Sequence, residues 1–164
     1  MTIIVSAKNG LWSDPTTWSP AQVPAIGDKV TISTGHVVTV DVTTAQGGDD
    51  TTTGIVINGT LKASRSTNSR LTVRGDLYLS VAGTIDYGFK SDPIPANVLA
   101  ELALNYSATQ GQFKYGLKTN STGNAQWAAF RMWGASKRRY CKMTTNMAVG
   151  STSIVVEDAT GWNI

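Results

Sequence analysis

Ile55-Val56-Ile57-Asn58-Gly59-Thr60-Leu61, Leu71-Thr72-Val73-Arg74-Gly75-Asp76-Leu77-Tyr78-Leu79 and Val81-Ala82-Gly83-Thr84-Ile85 are three versions of one phrase. Each contains an apolar residue, a variable residue, glycine, threonine or aspartate, then leucine or isoleucine. This reads as a strand broken by a bend and resumed at once. Glycine suits such a bend because it adopts positive φ without a Cβ clash. The three glycines stand 16 and then 8 residues apart. A unit of this size cannot bury its apolar side alone, so copies must stack around a shared interior. The expected fold is all-β: a right-handed parallel β-helix or similar β-solenoid, with Val40, Ile57, Leu61, Val73, Leu77, Leu79 and Ile85 lining the core. The competing arrangement is a sandwich of antiparallel hairpins. Of the three corners only Asn58-Gly59 makes a good type I′ turn, which favours the solenoid.

Towards the N-terminus, Lys29 to Ser33 and His36 to Val42 alternate apolar and polar residues with the period of two that marks a strand. Gln46 to Thr53 reads as a polar loop without an apolar anchor. Earlier still, Gly10-Leu11-Trp12-Ser13-Asp14-Pro15-Thr16-Thr17-Trp18 sets two tryptophans around a Ser-Asp-Pro turn. Large aromatics mainly supply buried area, so the pair reads as a plug over the end of a core. The functional alternative is a stacking platform for sugar rings, for which Trp12, Trp18, Trp127 and Trp133 are the candidates.

Towards the C-terminus, Ala96 to Tyr106 has the composition of a helix, with Val98, Leu99, Leu102 and Tyr106 on one face. It is expected to lie across the solenoid as a short helical insertion. Phe113, Tyr115 and Leu117 alternate like an edge strand. Trp127 to Trp133, Arg139 to Met143 and Ile154 to Glu157 read as further strands. The whole chain, 1–164, is therefore read as one β-helical domain. Capped rungs occupy 1–88, an insertion 89–126 carries the helix over 96–106, and more strands fill 127–164.

Charge and composition narrow the function. Only 15% of residues are charged and the net charge is +3, with no basic stripe of the kind that neutralises phosphates, so no nucleic-acid partner is expected. Lys137, Arg138 and Arg139 form a short basic run, read either as a solvated turn or, with Leu99, as a contact for a partner. One cysteine, Cys141, forbids an internal disulfide and favours folding in a reducing compartment. The N-terminal apolar run is too short for a signal peptide, and no segment approaches a membrane span.

Catalysis finds no foothold. His36 is the single histidine, which removes a Ser-His-Asp triad or a histidine-rich metal site unless His36 serves alone, and a histidine after a Thr-Gly turn reads as a satisfied or solvated side chain. Asp76 and Asp86 fall in neighbouring rungs and are the nearest thing to a glycosidase pair. Corner carboxylates that accept backbone N–H groups are the plainer account of them. Asp49-Asp50 matches no calcium loop, and Gly47-Gly48 does not open a helix as a phosphate loop does. No enzyme activity, metal or cofactor is expected in this segment.

Taken in order, Leu11 to Trp18, Val23 to Ile32 and Gly35 to Asp41 resemble the entry region of the domain named for its eight glycines. Ile55 to Gly59, the glycine rungs through Gly83, and Val149 to Trp162 continue the likeness. The resemblance implies a β-helical fold and assigns no catalytic residue. Relatives of this domain are extracellular or surface proteins, some binding or acting on polysaccharide, and similar modules begin phage tail fibres and other virion proteins. Because the segment at Gly161-Trp162 runs on in that family, this chain is expected to be the N-terminal part of a longer one. The leading expectation is a structural virion protein, the attachment region of a bacteriophage tail fibre or tailspike, made in the host cytoplasm. It would contact other tail proteins and assemble as a homo-oligomer, a trimer by analogy. The alternatives are an extracellular carbohydrate-binding surface module and a non-catalytic part of a polysaccharide-degrading enzyme.

Overall fold

The structure, a computed structural model, describes residues 1–49, 54–105, 115–119, 128–136, 142–146, 148–150, 152–153 and 155–157. It divides into two units, Met1–Gly134 and Ala135–Ile164.

The first unit is a cycle of short strands through three sheets. Sheet A holds β1 (Ile3–Ser6), β3 (Trp18–Ser19), β4 (Lys29–Ile32), β7 (Ile55–Ile57), β10 (Leu77–Leu79) and β13 (Leu117–Thr119). Sheet B holds β2 (Gly10–Leu11), β5 (Val37–Val40), β8 (Thr60–Ala63), β11 (Thr84–Tyr87) and β14 (Ala129–Met132). Sheet C holds β6 (Ala45–Gly47), β9 (Ser69–Arg74) and β12 (Ala100–Asn105). From β4 onward the chain visits A, B and C in turn, and every parallel pairing joins a strand to the one three later. The exception is β3, which runs antiparallel along β1 at the edge of sheet A. None of the three sheets closes on itself.

Alternation puts every second side chain inward, and the parallel register stacks like on like. In sheet A, Ile4, Val30, Ile55, Leu77 and Leu117 follow one another across the strands. In sheet B the row is Val38, Leu61, Ile85 and Phe130, and in sheet C it is Ala45, Leu71 and Leu102. The seven residues expected to line the core are all fully buried. Each such side chain contributes about 1.5–3 kcal/mol relative to exposure.

The glycine phrase is explained by the topology rather than by a single repeat length. Gly59 and Gly83 occupy the same corner, between sheets A and B, one circuit apart, since Thr60 pairs with Thr84. Gly75 sits at a different corner, between C and A, which is why the spacing is uneven. The reason for glycine also differs. Gly75 does adopt a positive φ of 81°, but Gly59 and Gly83 do not. There the missing Cβ makes room for backbone: a methyl on Gly59 would strike the carbonyls of Ser33 and His36, and one on Gly83 that of Ile57.

Two expectations are corrected. Residues 96–106 contain no described helix: Ala100–Asn105 is strand β12, paired along its whole length with β9. Leu102 packs against the core over Leu71, so a complete strand ladder outweighs the weak preference of Ala, Leu and Glu for helix. Nor is Gln46 to Thr53 simply a loop, because Gln46 and Gly47 belong to β6. The space above Gly47 is filled by its neighbours; a Cβ there would meet Val30 Cγ2 at 3.0 Å and Ile55 Cδ1 at 3.2 Å. Asp50 to Thr53, Tyr106, Phe113, Trp127 and residues 137–141 lie outside the described residues.

Buried polar groups tie successive circuits together. Asp76, fully buried, accepts the Gly116 N–H at 3.0 Å, and the Lys118 ammonium lies 2.7 Å from its second oxygen, off the line of a hydrogen bond. Tyr87 is the opposite case. Its hydroxyl is buried without a partner among the described residues, and burial pushes the phenol above its ordinary value of 10.0. A raised folded-state value means the unfolded chain releases this proton first. The contribution is therefore complete below about pH 10 and is lost as the pH climbs beyond it. Tyr87→Phe should match or exceed the wild-type stability by about 1 kcal/mol, since it removes an unsatisfied group, and should soften the alkaline loss. Urea midpoints near neutral pH and at roughly pH 11 test both parts; a loss of stability in the phenylalanine variant refutes the first.

In the second unit, Met143 and Val156 form an antiparallel bridge. Thr144 N–H donates to the Val155 carbonyl and Glu157 N–H to that of Lys142, both at 3.0 Å.

Candidate functional site

The register that stacks the core also writes a row on the outer face of sheet B. Leu11, Thr39, Lys62, Asp86 and Arg131 are successive partners, one from each strand. Neighbouring strands are about 4.7–4.9 Å apart, so the row is a ladder of alternating chemistry at that pitch. The connection from β8 to β9 borders the row. An open groove of about 550 Å³ there is lined by Leu11, Val37, Thr39, Asp41 and Lys62 together with Ala63 to Thr67.

This connection is rigid by construction. Ser64 Oγ accepts from the Ser66 N–H at 3.2 Å, the Thr67 N–H at 3.1 Å and the Thr67 hydroxyl at 2.9 Å. Arg65 is fully engaged. Its Nη1 donates to the Ala63 carbonyl at 2.8 Å and its Nη2 to Asp86 at 2.6 Å, while Nε lies 3.3 Å from the Asp92 carboxylate. Asp41 is aimed in the same way, accepting from the Ser13 N–H at 3.1 Å and the Ser13 hydroxyl at 2.5 Å. The Lys62 ammonium is 3.7 Å from Asp92, too long for a hydrogen bond, and keeps its donors for other acceptors. Leu11 remains 47% exposed on the floor, an apolar spot among these polar groups.

Nothing in this arrangement joins a nucleophile to a base. Asp76 and Asp86 are held separately, Asp86 by Arg65 and by the Gly88 N–H at 2.9 Å. Asp14 and Asp28 likewise accept backbone N–H groups. Hydrogen bonds from the Thr16 hydroxyl and N–H hold the exposed Asp14 carboxyl below its usual range. His36 Nδ1 meets Ser6 Oγ at 2.9 Å, but Ser6 is buried and its oxygen also accepts the Ser33 N–H, so that pair joins two turns of the backbone. Among the described residues no three His, Cys, Asp or Glu side chains gather where they would hold a metal ion. No helix among them is long and apolar enough to cross a membrane.

The residues singled out in the sequence fare unequally. Trp12 and Trp18 are 0% and 2% exposed, their rings in a T-shaped contact with centroids 5.0 Å apart, and Trp18 Nε1 donates to the Trp12 carbonyl at 3.0 Å. Neither offers a face to a sugar, so the platform reading fails for both and the plug reading describes them. Trp133 is half exposed, and Trp127 lies outside the described residues. Leu99 is 61% exposed, whereas Lys137, Arg138 and Arg139 also fall outside them. The groove draws on none of these. Its one legible signal was the polar run Ser64-Arg65-Ser66-Thr67 between two apolar strands, and only the register reveals what it faces.

Residues 17–144 match the family model described as the G8 domain. No curated protein and no solved structure matches the chain.

Proposed function

The chain belongs to the G8 domain family, and from that premise we propose that it is a non-catalytic scaffold, a right-handed parallel β-helix serving as the attachment module of a bacteriophage tail fibre, tailspike or related appendage. The observation that carries the scaffold is the parallel pairing, β3 excepted, of strands with those three later in the chain. A chain that returns to the same sheet every third strand, always in parallel, follows the path of a coil. Parallel crossovers are right-handed in about 98% of cases, which supports a right hand for it. Backbone groups are satisfied strand to strand and the core is aliphatic, so rigidity does not depend on cystine. That suits a part made in a reducing cytoplasm and used outside the cell.

In this role the exposed Leu99 serves as one docking contact for neighbouring tail proteins and the basic run Lys137 to Arg139 as a separate one, with the assembly a homotrimer. Immunogold electron microscopy of purified virions tests the placement: label at one fixed position on the tail is expected, and label confined to the host surface refutes it. Light scattering of the assembled appendage tests the trimer. A variant with Arg138→Glu and Arg139→Glu should keep a normal thermal midpoint and yet lose incorporation into particles. Normal incorporation means that the basic run is simply solvated.

A further inference from the structure

We propose that the side chains of Asp76 and Lys118 condense into an isopeptide bond, a covalent tie between one circuit of sheet A and the next. The inference concerns this pair alone and does not depend on where the scaffold is mounted.

The ladder holds both residues in place. The Asp76 carbonyl accepts the Ile55 N–H at 2.9 Å, and the adjoining Leu77 N–H donates to the Gly116 carbonyl at 3.0 Å. Two residues further along each strand, Lys118 is the parallel partner of Tyr78. The side chains then meet in an unusual way. The Asp76 carboxyl is fully buried, and its Oδ1 accepts the Gly116 N–H at 3.0 Å. Its Oδ2 is buried too, yet takes no hydrogen bond among the described residues, although Lys118 Nζ stands only 2.7 Å away. An ordinary ion pair would spend an ammonium hydrogen on that oxygen. Here the nitrogen is set beside the carboxyl, off the hydrogen-bond line. The other described lysine–aspartate pairs, Lys29 with Asp49 and Lys62 with Asp92, are wider at 3.8 and 3.7 Å.

The chemistry needs no cofactor or oxidant. Nζ bonds to Cγ and the Cγ–Oδ2 bond breaks. Oδ2 leaves as water with two of the three ammonium hydrogens, and the third stays on the new amide nitrogen. Negative charge gathers on Oδ1 as the nitrogen adds, and the Gly116 N–H already points at that atom. Because the Lys118 side chain is half exposed, the departing water has a way out. Groups held at attacking distance react as though at about 10⁵–10⁸ M, which offsets the reluctance of a carboxylate to form an amide. The product also replaces a buried charge, expensive to keep from water, by a neutral group. With a single cysteine in the chain, such a bond would be a covalent fastening that owes nothing to cystine.

Intact-mass spectrometry of the full chain, held at neutral pH after purification, is the test. A mass lower by one water is expected. A tryptic digest should contain a branched peptide that joins residues 75–90 to residues 115–131, uncleaved after Lys118. Lys118→Arg, which keeps the charge and removes the amine, should restore the full mass and still fold. It should unfold at a lower urea concentration, since the cross-link no longer restricts the unfolded chain. An unchanged wild-type mass overturns the proposal, as does a deficit that persists in Lys118→Arg. A deficit confined to a linear peptide, as a succinimide at Asp76 would give, overturns it equally.

Discussion

Replacing Gly48 by alanine should cost the protein about 3 kcal/mol or more and lower its urea midpoint sharply. Gly48 lies where the chain passes from sheet C to sheet A, with φ at +94°. An L-residue in that region carries about 1–2 kcal/mol of strain by itself. The added methyl would also be driven into the carbonyl oxygen of Arg74, a backbone atom that cannot swing aside. Forced overpacking of this kind adds about 1–3 kcal/mol. Against a total stability of about 5–15 kcal/mol the sum is a large fraction. Gly27 supplies the control: its φ is +98° but no atom lies within 4 Å of a Cβ built there. Gly27→Ala should cost only the strain, about 1 kcal/mol. Urea midpoints for the pair separate the two effects, and equal losses would mean that the circuits are not packed backbone on backbone at this corner.

Trp18→Ala should cost about 3–5 kcal/mol, the range for emptying a large aromatic site. The indole is buried against Trp12, and its N–H is spent on the Trp12 carbonyl. Trp12 in turn lies beside Val30 and Ile55 near Gly47, so a void at Trp18 would loosen the start of sheets A and B together. Trp18→Phe should recover most of the packing and lose the hydrogen bond, a smaller deficit of about 1–2 kcal/mol. Near-ultraviolet circular dichroism and denaturant midpoints report both variants. A loss under 1 kcal/mol for Trp18→Ala would show the tryptophans to be surface furniture after all.

Much of the core was legible because alternation and stacking leave the same mark. Val38 and Val40, Leu77 and Leu79, and Leu61 and Ile85 announce their inward face by period alone. The segment from Ala100 to Asn105 was misread because alanine, leucine and glutamate prefer helix when isolated. Its pairing with β9 is a contact 31 residues distant, which no local window contains. Glycine was recognised as the marker of corners, but for a conformational reason that holds at Gly75 and not at Gly59 or Gly83. Space denied by a neighbouring circuit cannot be read from one strand. The groove was illegible for the same reason. Leu11, Asp41, Lys62 and Arg65 come from separate stretches of chain and are brought to one groove only through register.

The lengths of the corners vary while the strands keep step. Asn58 and Gly59 suffice to pass from β7 to β8, yet the residues from Gly88 to Leu99 separate β11 from β12. Both fit because the ladder fixes the strands, while the longer connection is anchored at one point of its own, Ile94, which is buried and bridged to Gly134. Evolution, or an engineer, can therefore lengthen this connection or graft a foreign epitope at its exposed turn, Ala96-Asn97, while Ile94 and the aliphatic rows beneath remain in place.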